Sequence, residues 1–320
     1  LALTPIRWKS KSFLVKKEVT YGVDPTPTAA NAVLVTDVSL QPMEGEDVSR
    51  NLELPYMGAQ EMFATGLRAV LTASFELVGS GETGVAPAWS MLMRSLGVAE
   101  VVTPDDDPGD GTVEYTPISE NFESAAIYVQ IGPTRYVLLG CVGTAELSFN
   151  ANGIPVVKGT WTGLWTLPSD QAKPTGIDLS NFVDPQVATK TNTPVFTIDG
   201  TAFVMRNFAM NLGNDVQGRF LVGAEHILIV DRSETITATI EAVPMATFNP
   251  YAKASQSPKP RMEIALEHGT VVGRKVDFEA LACTLNRPSG IDNQQGIVEW
   301  PLTFVPQPTD GNDQWKITLR

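Results

Sequence analysis

A chain of 320 residues, 43 % hydrophobic and 18 % charged, is long enough for about two globular domains with a core each. No stretch approaches the roughly 18 uninterrupted apolar residues of a membrane span, and the basic N-terminus lacks the apolar h-region and cleavage site of a secretion signal. The net charge of −13 speaks against a nucleic-acid binder, because neutralising phosphates needs Lys and Arg, but it suits a surface that nucleic acid passes without sticking.

Residues 1–32 read as an extended arm that ends in the turn-rich run Tyr21–Thr28, where two prolines rule out a central strand. The arm is basic. It carries Arg7, Lys9, Lys11, Lys16 and Lys17 against Glu18, and is either solvated or docked on an acidic neighbouring subunit. A first domain over 33–167 opens with the strand Val33–Leu40 and a polar loop from Gln41 to Gly66. This loop holds Glu44, Glu46, Asp47, Glu53 and Glu61 with Arg50, yet also the apolar Leu54, Tyr56, Met57, Met62 and Phe63. A loop so long and so rich in apolar side chains reads as a partner surface rather than as disorder.

The chain returns as Leu71–Val78, where Leu71, Ala73, Phe75 and Leu77 alternate with Thr72, Ser74 and Glu76, the pattern of a half-buried antiparallel strand. A helix follows over Pro87–Leu96, with Pro87 in its first turn, Gly97 at its end, and Trp89, Leu92, Met93 and Leu96 on one core-facing stripe. After an acidic turn at Asp105–Gly111 come strands Ala125–Ile131, Tyr136–Cys141, Thr144–Phe149 and Val156–Trp165, with a turn at Asn152-Gly153. Residues 168–194, with four prolines and no periodicity, form a linker to a second domain over 195–320.

The second domain repeats the plan. Phe203–Met210 leads into a shorter loop, Asn211–Gly223, and returns as Ile236–Val243. The return strands correspond position for position, Thr72–Val78 against Thr237–Val243, and the loops share Asp47, Val48 and Arg50 against Asp215, Val216 and Arg219. So long a period implies two copies of one domain, since solenoid units span only about 20–50 residues. A weaker helix at Phe248–Ser255 and strands Met262–Glu267, Lys275–Leu285 and Ile297–Val305 complete the copy. The expected class is all-β with minor α: two tandem β-sandwich or barrel domains, each with a flanking helix.

Catalytic signatures find no support. Gly79-Ser-Gly-Glu-Thr-Gly84 spells a dinucleotide-binding G-x-G-x-x-G, but the preceding strand alternates where a parallel α/β strand would be apolar throughout. The second copy has Ala242-Val-Pro244 there, so a flexible strand-to-helix connection is the better reading. Asp105–Gly111 misplaces the glycine of a calcium loop, and His226 and His268 have no Cys or His at metal-ligand spacing. Cys141 and Cys283 sit in apolar strands and read as small buried hydrophobes, which a reducing compartment would suit. No cofactor or metal is expected.

Lys16–Pro27, Ala29–Val35 and Leu40–Arg50 resemble the N-terminal half of major tail tube proteins of long, non-contractile-tailed bacteriophages. The resemblance is densest over residues 13–100, weaker to about 165, and beyond that rests on the internal repeat. It implies a structural virion protein without enzymatic activity, a small β-sandwich or barrel with a flanking helix, and rings whose inner sheets join and stack into a tube. A fused pair of domains implies a homotrimer with pseudo-sixfold symmetry. The Gln41–Arg68 segment would then reach an adjacent subunit or ring, making Glu44, Glu46, Asp47, Arg50, Glu53, Tyr56, Met57, Glu61, Phe63 and Arg68 contact candidates. Glu76 and Glu241, on the polar faces of equivalent strands, are lumen candidates. The implied partners are further copies of the chain and the tape measure, tail-tip and tail-terminator proteins. Genomic DNA would pass without specific binding, no membrane is involved, and assembly would occur in the host cytoplasm. The alternative is a two-domain β-sandwich adhesin or carbohydrate-binding module.

Overall fold

The computed structural model describes residues 5–107, 109–180 and 182–320, so Pro108 of the acidic turn, Asn181 of the linker and the first four residues of the arm lie outside it. The chain begins with β1 (Lys11–Lys17), a single 3-10 turn, β2 (Ala32–Val33), β3 (Thr36–Ser49) and β4 (Met62–Glu76). It continues through α1 (Ser90–Arg94), β5 (Val98–Thr103), β6 (Thr112–Pro117), β7 (Ala125–Ile131), β8 (Thr134–Asn150), β9 (Val156–Leu164) and β10 (Ser169–Asp170). The second half contains β11 (Val195–Ile198), β12 (Thr201–Ala202), β13 (Met205–Asn211), β14 (Asn214–Leu221), β15 (Ala224–Arg232) and β16 (Thr235–Glu241). It closes with α2 (Pro250–Ser255), β17 (Met262–His268), β18 (Val276–Leu285), β19 (Asp292–Gln294), β20 (Ile297–Pro306) and β21 (Lys316–Leu319).

One antiparallel sheet runs through both halves in the order β3–β4–β9–β8–β13–β16–β20, with β19 and the end of β18 on the far side of β20. A second layer, β12–β11–β17–β18–β21–β6–β5, covers the second half, and β2–β1–β7–β8–β10 covers the first. The long strands β8 and β18 each serve two layers. β8 pairs β7 near its start and β9 further on, and it turns at Gly140, whose φ of +62° is a left-handed value that favours glycine. The all-β class is as expected, but as packed sheets and not as a closed barrel.

The alternation in β4 places Leu71, Ala73, Phe75 and Leu77 in the core at 1 % exposure each, and Ile236, Ala238 and Ile240 do the same in β16. Trp89, Leu92, Met93 and Leu96 are buried, with the Trp89 ring stacked 5.1 Å from Phe75 and its indole N–H donating to the Val78 carbonyl. The helix itself is short, because its stripe lies partly in the flanking turns. Both cysteines are free and buried, and burial pushes the Cys283 thiol up to about 12.

Three expectations are corrected. The loop from Gln41 to Gly66 is the outer part of a long β3–β4 hairpin, and only residues 50–61 form its loop. Its strands carry polar or exposed side chains on both faces, so the alternation that marks a half-buried strand is missing. The arm over residues 1–32 includes β1, which pairs β7 from Lys11↔Ile131 to Lys17↔Ala125 and buries Phe13, Leu14 and Val15. The two strands expected within 136–149 are one continuous strand, β8.

Candidate assembly interface

The β3–β4 hairpin projects from the sheet as a solvated arm. Glu44 bridges Arg68 across its base at 3.2 Å, and the Gln60 side chain spans the loop, donating to the Leu52 carbonyl and accepting from its N–H. Beyond that base Glu46, Asp47, Arg50, Glu53 and Glu61 are all exposed. Tyr56, Met57, Met62 and Phe63 expose 69, 101, 61 and 48 % of their surface, more apolar area than a lone finger would leave wet. The structure thus brings the ten predicted contact residues together on one element.

The second copy of this element is seated differently. β13 and β16 continue into the β14–β15 hairpin through a bend at Gly213 (φ +61°) and Ser233. Asp215 and Val216 lie in β14 as Asp47 and Val48 lie in β3. Here the root is anchored to the first half. The buried Asn214 amide donates to the Leu96 and Gly143 carbonyls at 2.7 and 2.9 Å. Arg232 donates to Asn214 and to the Gly97 and Ile118 carbonyls. Leu96 and Gly97 lie in the turn after α1, so the root of the second hairpin is tied to that turn and to the end of β6. Further out, Ile227 is buried and its N–H donates to the Tyr21 hydroxyl, while Phe220 reaches Gly66 at the base of the first hairpin. Sequence reading missed Asn214 and Arg232, although the glycine before Asn214 marked the bend.

Directly opposed residues of an antiparallel pair share a face. The register runs from Glu76↔Val156 through Val156↔Ser148 and Ser148↔Ala209 to Ala209↔Thr237, so Glu76 and Glu241 stand on the same side of one unbroken sheet. That side is paved with Thr72, Ser74, Thr144, Thr160, Thr239 and Thr303, and the Thr72 and Thr160 hydroxyls bond to each other. Its charges are mixed: Glu146 lies opposite Lys158, Arg68 continues the row of Thr72 and Glu76 and pairs with Glu44, and Glu299 lies under Arg206 at 2.5 Å. That guanidinium holds the Glu299 carboxyl below its usual range.

The basic residues of the arm divide. Lys17 pairs with Glu123 and Lys16 donates to the Pro25 carbonyl, so both are engaged within the fold. Arg7 and Lys9 are exposed ahead of β1, and the Lys11 ammonium lies 3.2 Å from the Trp8 ring centroid.

The motifs set aside as chemistry have structural explanations. A Cβ on Gly79 would stand 2.2 Å from the Gly273 carbonyl oxygen, and Gly81 N–H donates to that oxygen, so these glycines let two backbones from opposite halves meet. Asp105 accepts from the Thr83 hydroxyl and from the Gly109 and Asp110 amides, and no group of three His, Cys, Asp or Glu suited to a metal exists among the described residues. His268 is buried between the Thr193 hydroxyl and the Gln186 carbonyl, tying the segment ahead of β11 to β17, and burial lowers its pKa. No helix among the described residues is long and apolar enough to cross a membrane.

A continuous sheet with a hydroxyl-rich face, an edge strand unpaired among the described residues and an exposed apolar hairpin are the features of a structural protein that assembles with its own kind. Residues 8–307 match the model of a family described as phage tail tube protein, and the chain belongs to that family. Membership makes it a structural component of the virion tail, built into a tube from many copies. Among curated proteins, none matches the chain.

Proposed function

We propose that three copies form a pseudo-sixfold ring, and that stacked rings make the tail tube through which DNA passes into the host. The observation that carries this is the β8–β13 seam, from Glu146↔Asn211 to Asn150↔Asn207, which joins the two halves of one chain edge to edge. In this reading residues 33–167 and 195–320 are duplicated domains. The seam inside the chain is then the pattern for the joint between chains. β3 stands where β13 stands, and no strand pairs its outer edge among the described residues. Such a joint is head to tail, and three of them close by rotation into a ring without free edges.

The polar face would line the lumen. Hydroxyls and scattered glutamates offer phosphates little to hold, and Glu76 and Glu241 would repel them. The exposed β3–β4 hairpin, with its ten candidate residues, would lie on the next subunit or ring. The tape measure, tail-tip and tail-terminator proteins of a long, non-contractile tail, assembled in the host cytoplasm, are the partners this reading requires. Negative-stain electron microscopy over a concentration series is the test. Rings or hollow tubes with threefold or pseudo-sixfold end views are expected. A chain that stays monomeric at every concentration and with tail-tip components defeats the proposal.

A further inference from the structure

The turn between β8 and β9 shows how one half grips the other. Ala151 N–H donates to the Arg206 carbonyl at 2.9 Å, Asn152 N–H to the Ala188 carbonyl at 2.8 Å, and Ala188 N–H returns to the Gly153 carbonyl at 2.8 Å. The turn thereby forms one wall of a 540 Å³ cavity between the linker and Phe203–Met205, the segment that leads into β13. The second half carries a turn at the matching place, between β19 and β20. Gln295 adopts φ +54° there as Asn152 adopts +62°, and a glycine follows each. Its flanks are exposed and apolar: Ile291, Ile297 and Val298 show 63, 52 and 47 % of their surface.

The matching receptor also exists, in the first half. A 640 Å³ cleft opens between Trp8–Phe13, ahead of and within β1, and Val33–Val38, the segment leading into β3. It corresponds by position to the cavity that the β8–β9 turn walls. β1 precedes and pairs β2 as β11 precedes and pairs β12, and both clefts lie beside the start of the hairpin strand that follows. Ile177 and Leu179 also line it, but among the described residues no strand-to-strand turn lines it as Ala151 and Asn152 line the other. Leu34 is 48 % exposed at the mouth, and Lys9 and Lys11 stand over it.

We propose that the occupant is a second copy of this chain: its β19–β20 turn seats in the first-half cleft as the β8–β9 turn seats in the second half. Ile297 and Val298 meet Leu34 and Val35, and Asp292, exposed on β19, meets Lys9 and Lys11. The inference rests on the head-to-tail reading above and names the contact that reading leaves open. It also gives the basic segment ahead of β1 an acidic partner.

Two measurements test it. In a Leu34→Cys/Ile297→Cys variant both native cysteines stay buried, so a short bismaleimide should link the new thiols only. Assembled protein should give covalent dimers and trimers on a denaturing gel, and either single-cysteine variant should give far fewer. Ile297→Asp, at an exposed position, should fold with an unchanged melting temperature yet need at least about tenfold more protein to assemble, since desolvating a lone carboxylate is unfavourable. Tubes that form normally from Ile297→Asp, with no cross-link in the double variant, overturn this contact and leave the tube standing. Wild-type chain that never assembles overturns the tube proposal and this contact together.

Discussion

The two hairpins of this chain are one element in two situations. The β14–β15 hairpin bends at Gly213, is pinned by Asn214 and Arg232, and tucks Ile227 beside Tyr21 of the first half. The β3–β4 hairpin carries the same Asp-Val pair and exposes Val48, Tyr56, Met57 and Phe63. On our reading, the difference is that each hairpin rests on a neighbouring half. In the second copy that neighbour is in the same chain. In the first copy, on our reading, it belongs to another subunit.

The largest expected effect tests the seam between the halves. Phe149 of β8 and Phe208 of β13 lie 6.2 Å apart and are fully buried, so Phe208→Ala should cost about 3–5 kcal/mol in urea unfolding. If the halves shared no core, the loss would fall on the second half alone and the transition would split. Arg232→Met comes next. It takes the guanidinium from the Ile118 carbonyl and from the buried Glu234 carboxylate, leaves the Gly97 carbonyl only the Ile118 N–H, and should cost about 3 kcal/mol, a sum of penalties for unpaired buried groups. Rapid hydrogen exchange across β14–β15 should accompany that loss, with no matching change in β3–β4.

An effect of intermediate size depends on pH. His268 has a folded-state pKa depressed by burial, so the unfolded chain binds its proton first. Stability is therefore full above the ordinary histidine value near 6.5 and falls as pH drops through it. Thermal melts between pH 7.5 and 5.5 should show that decline, and His268→Gln should flatten it. Tyr21→Phe removes the hydroxyl that receives the Ile227 N–H and should cost about 1 kcal/mol. The smallest effect on folding is the sharpest for the comparison. Glu46→Lys with Asp47→Lys, both exposed on the free hairpin, should leave the melting temperature unchanged while blocking tube formation. Normal tubes from that variant would refute a role for the hairpin in assembly.

Much of the fold was legible because burial on one face writes a period of two into the chain. Leu71, Ala73, Phe75 and Leu77, and their counterparts in β16, announced both the strands and the repeat. The outer β3–β4 hairpin left no such trace. Both of its faces meet water, so nothing in its composition separates it from a loop. The ten candidate residues were legible as a group but not as a rigid element.

By itself, then, the sequence determined an all-β chain with an internal repeat, a family and a net negative charge. Each of these follows from local alternation, composition or the match of one segment to another. The tertiary structure alone decided that β8 and β13 zip the halves into one sheet, and that Glu76 and Glu241 therefore share a face. It decided too that Gly79 makes room for the Gly273 carbonyl and Gly273 for the backbone at Gly81, and that Arg232 serves the Gly97 and Ile118 carbonyls. These are contacts between residues far apart in the sequence, and only packing fixes which distant backbone groups must be paired once water is removed.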